Sequence, residues 1–242
     1  MSTFRQTSWN SFANAAKQAE MADTAATFEL YATLPAQIAV RIGRAIVDGE
    51  FKPGQKLREV DLAQSFGVSR ASVREALRLV ESEGLVTILP QRGAQVTALT
   101  AEEVRDVFEI RAQLMGLACQ RLAGAITPEL AKRLEELLKA LRTSRDDGEA
   151  YARASLAISE FCVRNAGSKR LADMVLSFGR QTARYTKVSL ATAERRKQSY
   201  VLWRELVDAL IGRKPAAAER LARDLVHGTR DAALRLLADT RK

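Results

Sequence analysis

The sequence predicts a mainly α chain: an N-terminal winged helix-turn-helix with a small β-wing, then an all-α antiparallel helical bundle. Three observations predict it. Residues 57–93 read as helix, tight turn, second helix and a two-stranded wing. Beyond Thr100 the apolar residues keep helical spacing and no segment alternates as a strand would. Breaks at Thr127-Pro128, Asp146-Asp147-Gly148 and Gly212-Arg213-Lys214-Pro215 cut that region into helices with short connections.

Taken in order, residues 1–30 carry Ser, Thr, Asn, Gln and Ala with little periodicity. They read as a flexible arm with one or two helical turns around Asn14–Ala22. The first domain then covers residues 31–98 and the second 99–242. A helix is expected over 34–48, with Pro35 in its first turn and Gly49 closing it. Phe51-Lys52-Pro53-Gly54 is a turn. Val60, Leu62, Ala63 and Phe66 mark a short helix, and Gly67 stands where a left-handed residue would stop it. Ser69 caps the next helix, whose apolar stripe is Val73, Ala76, Leu77 and Val80. Strands over 85–89 and 94–97 make the wing, with Pro90 to Gly93 at its tip. Thr100 with Glu103 forms a capping box that opens the second domain. Its helices are expected over 101–124, 127–144, 149–166, 168–190, 194–212 and 215–240.

The stripe on the second motif helix leaves Arg70, Arg74 and Arg78 spaced every fourth residue on another face. Three guanidiniums on one face, directly after a helix and turn, suit a recognition helix in a DNA major groove. The bland readings stand beside this one: Arg78 as a solvated charge, Ser69 as a cap only.

Charge is a weaker guide. The net +9 hides an uneven split. Residues 34–98 carry nine Lys or Arg against seven Asp or Glu, while residues 99–242 carry twenty-seven against nineteen. The excess therefore sits mostly outside the DNA-reading segment, on solvated helix faces or around a pocket for an anion. Cys119 and Cys162 lack metal-finger spacing, which points to a reducing compartment. Without a signal peptide or a membrane-length apolar run, a cytoplasmic protein is expected. No nucleophile–base pair or phosphate loop stands out, so an enzyme is not.

Residues 36–96, with AIVDGEFKPGQKL, GVSRASVREAL and ESEGLV, resemble the winged helix-turn-helix of the GntR family of bacterial transcription factors. The resemblance implies DNA contacts from Ser69, Arg70, Ser72 and Arg74, from Arg92 and Gly93 at the wing tip, and from Arg58 near a backbone phosphate. An arginine used by some relatives is Val60 here, which takes one contact out of the pattern.

The second domain, with VFEIRAQL near its start, resembles the FadR-type C-terminal ligand-binding domain of the same family. Many members hold a metal there with one aspartate and three histidines, and the metal helps bind a carboxylate effector. This chain departs from that set. With NAGSKRL as anchor, the ligand positions fall at Ser155, Ser159, Trp203 and Asp224, the last uncertain by one residue. His227, the one histidine, lies three residues beyond. Such a set does not assemble the N/O donors that Zn or Ni expects, so no metal and no cofactor is expected. Ser155 and Ser159 would instead offer hydroxyls, and Trp203 a flat face with one N–H donor. Arg111 matches an arginine that faces an effector's carboxylate in relatives. Its alternative is an ion pair to another helix, Asp224 included; that of Trp203 is core packing.

The expectation is a homodimeric, ligand-responsive transcriptional repressor. It would bind a pseudo-palindromic double-stranded DNA operator and take a small anionic effector in a metal-free bundle. The alternative is a constitutive DNA-binding protein whose bundle only dimerises.

Overall fold

A computed structural model describes residues 33–239. The expected arm over 1–30 lies outside the described residues. The chain divides into two compact units, with the change between Thr97 and Ala98.

In the first unit α1 (Leu34–Asp48) starts at Thr33, whose Oγ1 accepts from the Ala36 N–H, and stops at Gly49 in the left-handed region, φ +82°. β1 (Lys56–Leu57) precedes α2 (Glu59–Phe66), which ends at Gly67, φ +66°. Only glycine adopts that conformation without strain, so the tight turn of the motif rests on it. α3 (Arg70–Ser82) opens on Ser69, whose Oγ accepts from the Ser72 N–H at 3.1 Å. β2 (Val86–Leu89) and β3 (Gly93–Val96) pair antiparallel, Val86 opposite Val96. β1 pairs with the far edge of β3, which makes a three-stranded sheet in the order β1-β3-β2. The two-stranded wing expected from sequence is corrected here, because a two-residue strand is too short to show a period. One core closes the unit: Ile38, Ile42 and Ile46 of α1 pack with Val73, Leu77 and Val80 of α3 and with Val86 and Val96 of the sheet.

The second unit is helical throughout the described residues: α4 (Ala101–Ala125), α5 (Pro128–Thr143), α6 (Gly148–Arg164), α7 (Lys169–Ser189), α8 (Ala193–Ile211) and α9 (Pro215–Asp239). Side-chain oxygens cap five of the six starts, at Thr100, Thr127, Asp147, Ser168 and Thr192. Thr100 and Glu103 complete a capping box in both directions. Pro begins α5 and α9, where a missing N–H costs nothing. α4 is the central helix: α9, α7, α6 and α8 all pack against it. Gly116 of α4 makes room for α9, since a Cβ there would meet Arg223 Cγ at 2.9 Å. Phe108, Leu122, Tyr151, Ile158, Leu206 and Leu210 are fully buried in the bundle core. Cys119 and Cys162 are reduced and buried between α4 and α6. A hydrogen bond between the two thiols, with burial, raises Cys119 well above its ordinary pKa. No described helix is long and apolar enough to cross a membrane.

Candidate DNA and ligand sites

α2, its tight turn and α3 present the candidate DNA surface. Val73, Ala76, Leu77 and Val80 anchor α3 inward, so Arg70, Arg74 and Arg78 are held outward and exposed. Arg74 is engaged: its Nε and Nη2 donate to the two carboxylate oxygens of Glu59 at 2.8 and 2.7 Å. That bidentate bond, across the turn from α3 to the first residue of α2, holds the Glu59 carboxyl below its ordinary pKa, with Arg70 adding to the field. Arg58, Arg70, Arg78 and Arg92 are exposed and make no ion pair among the described residues. The Ser69 and Ser72 hydroxyls lie 2.9 Å apart and bond each other in the first turn of α3. Val60 is exposed on α2. At the wing tip Gly93 has φ +79° and Gln91 has φ +59°, so two left-handed residues flank Arg92. The sequence suggested the first; an ordinary glutamine gives no signal for the second.

The positions read as ligand-facing in the bundle separate into three outcomes. Ser155 of α6 and Trp203 of α8 come together: the indole Nε1 donates to Ser155 Oγ at 3.0 Å. Trp203 is 4% exposed, so its ring belongs to the packed interior. Ser159, one turn along α6, is buried and donates to Met115 Sδ of α4 at 3.8 Å. Asp224 differs from the expectation. It is exposed on α9, whose buried face is made by Ala218, Leu221, Ala222, Leu225 and Val226. The neighbouring register is no better, because Leu225 offers no polar atom. Two hydroxyls, an indole and an exposed carboxylate do not fit the donor set of a divalent metal. His227 lies elsewhere: its Nε2 is 2.9 Å from Glu109 Oε2, and Arg230 Nη1 donates to the same oxygen at 3.2 Å.

Arg111, on α4 one turn before Met115, makes no ion pair among the described residues, with Asp224 or any other carboxylate. Its Nη1 donates to Thr182 Oγ1 of α7 at 2.9 Å. Its Nε is buried without a hydrogen-bond partner. Burial alone pushes the guanidinium down to about 10. Arg111 as a whole is half-buried, but its Nε is kept from water, and a buried donor without a partner is costly unless an acceptor meets it.

Sequence reasoning missed a second group at the same bundle interior. Tyr151, Arg195 and Ser199 are buried on the rows of α6 and α8 that carry Ser155 and Trp203. Arg195-Arg196 look alike in sequence, and both are buried, but their surroundings differ. Arg196 donates to the carbonyls of Arg145, Leu190 and Ala191.

Comparison with known proteins follows the same division. Residues 34–96 match the bacterial regulatory proteins of the gntR family, and residues 106–228 match the FCD domain. The HTH-type transcriptional regulator YdhC of Bacillus subtilis is 39% identical over 113 residues, 45% of this chain and 50% of that one. The gluconate operon transcriptional repressor of the same species is 28% identical over 130 residues, 53% of each chain. The chain thus spans about half the length of these curated relatives. Among solved structures, Escherichia coli McbR/YncC superposes with a TM-score of 0.74 at 17% identity, over 85% of this chain and 99% of that one. At that identity the likeness speaks for the fold. Two matched segments, in this order and filling most of the chain, place it: the chain belongs to the gntR family of bacterial regulatory proteins and carries an FCD domain.

Proposed function

We propose that this chain is a ligand-responsive transcriptional regulator acting in the cytoplasm, a repressor that binds a pseudo-palindromic operator as a homodimer. The observation that carries the ligand-responsive part is Arg111, with its buried, unpartnered Nε and no carboxylate opposite it. A small organic acid or other anionic effector, bound without a metal, supplies the missing charge. The repressor sign is supported by the similarity to the gluconate operon repressor of B. subtilis.

On the DNA side, Arg70 and Arg78 reach base edges or phosphates from α3, and Ser69, Ser72, Arg58, Arg92 and Gly93 position the module along the backbone. Arg74 acts with Glu59 beside it. Two copies related by a two-fold axis set α3 into successive major grooves. Ligand binding in the bundle changes operator affinity through a coupling free energy between the sites, on the order of 1–3 kcal/mol.

The second reading, a bundle that only dimerises, draws on the buried Trp203 and its bond to Ser155. It leaves the buried Nε of Arg111 without a partner. Capture of source-genome fragments on the purified protein tests the regulator reading. Retention of a few fragments that share a two-fold symmetric motif supports it. Broad retention that salt removes, with no motif, sinks it.

A further inference from the structure

Resting on the reading of the bundle as an anion site, we infer that its ligand carries two acidic groups, one met by Arg111 and the other by Arg195 with the Tyr151 hydroxyl.

Arg195 is 7% exposed, and its Nη2 is buried with no hydrogen-bond partner. It makes no ion pair among the described residues. The carboxylate that acts on it, Asp231, is already bonded to Arg230 at 2.9 Å, and Arg235 opposes its effect. Tyr151 is fully buried, and its hydroxyl, beside Ser199, also lacks a hydrogen bond of good geometry. Burial pushes that phenol up to about 12, so it remains a proton donor at working pH. Arg196 is the internal control: equally buried, it spends three donor contacts on backbone carbonyls. Burial of an arginine here is therefore compatible with partners for its Nε and Nη1, whereas the buried Nη2 of Arg195 has none.

Space is reserved for this guanidinium. A Cβ on Gly228 of α9 would lie 2.9 Å from Arg195 Nη2 and 3.6 Å from Cζ. The glycine is helical and has no left-handed φ to explain it. Its missing side chain is what lets Arg195 lie against α9.

The two arginines belong to one helical bundle, Arg111 on α4 and Arg195 on α8. Tyr151, Ser155 and Ser159 stand on successive turns of α6, and Arg195, Ser199 and Trp203 on successive turns of α8. The Trp203–Ser155 hydrogen bond ties the two rows together. Ser159 meets Met115, one turn from Arg111 on α4. A monoanion at Arg111 leaves the second buried cation uncompensated. A ligand with two acidic groups, joined by a short chain, answers both guanidiniums and the idle phenol donor.

The test is calorimetric titration of the full chain with linear α,ω-dicarboxylates of four to six carbons, and with monocarboxylates of equal length. The expected result is dicarboxylate binding tighter by about tenfold or more. Arg195→Gln removes that preference, so that the two series bind the variant alike. Gly228→Ala, which shifts the guanidinium without deleting its charge, also reduces the preference. Equal binding of the two series by the wild type overturns the inference, as does a preference that survives Arg195→Gln. Binding that depends on Arg111 but shows no preference overturns this inference alone. No binding of either series overturns the anion-site reading along with it.

Discussion

Glu59 takes up two donors of Arg74, and that pairing alters what each arginine of α3 offers to DNA. Arg70 is the better candidate for a base edge, and Arg70→Ala is expected to cost roughly 1–3 kcal/mol of operator affinity. Fluorescence anisotropy on a retained fragment measures it. The Glu59 pKa is depressed, first by the Arg74 hydrogen bond, so its contribution to stability is complete above the unfolded carboxylate pKa. It is lost as pH falls through the folded value. Glu59→Gln should therefore flatten the acid limb of a stability-against-pH curve, and an unchanged limb contradicts the pairing. In the bundle, Trp203→Ala is expected to destabilise by roughly 3–5 kcal/mol, from lost burial and the cavity left behind. Urea unfolding reads this directly. The departure from the family's metal ligands at Ser155, Ser159 and Trp203 was legible as residue identities, and the structure adds that two of them bond each other. The solvent exposure of Asp224 was not legible, because alignment across the break at 212–215 fixes its number but not the face of α9 on which it falls. Arg195 was not legible either: nothing in the string distinguishes it from Arg196.

Among the elements, punctuation carried most of the information. Thr100 with Glu103, Thr127 before Pro128, and Asp147 before Gly148 fixed three helix starts through caps that depend on one or two residues. Gly67 marked the motif turn for the same reason, and its φ of +66° explains it. Open space surrounds that position, so Gly67→Ala meets only backbone strain. The expected cost is about 1 kcal/mol, visible as a lower denaturation midpoint with an unchanged slope. β1 escaped notice, since two residues have no periodicity and their pairing with Gln95 and Ala94 is set by the tertiary fold. Gln91 escaped because a left-handed glutamine has no compositional mark.

Across the molecule, each unit has its own apolar core, and the chemistry divides accordingly. The first offers exposed arginines on a helix stiffened by that core. The second keeps arginines inside, where a guanidinium without a counter-ion weakens the fold it sits in. Arg111→Met is thus expected to raise the melting temperature of the unliganded chain while removing stabilisation by carboxylates. A fall in melting temperature would instead assign Arg111 a structural task through Thr182. Whether an anion controls this regulator is read most directly from operator affinity with and without an organic acid, in the wild type and in Arg111→Gln. An anion that shifts wild-type affinity by about fivefold or more, and leaves Arg111→Gln unmoved, is the predicted result. The same shift in both proteins, or none across a series of carboxylates in the wild type, would contradict an anion-controlled regulator.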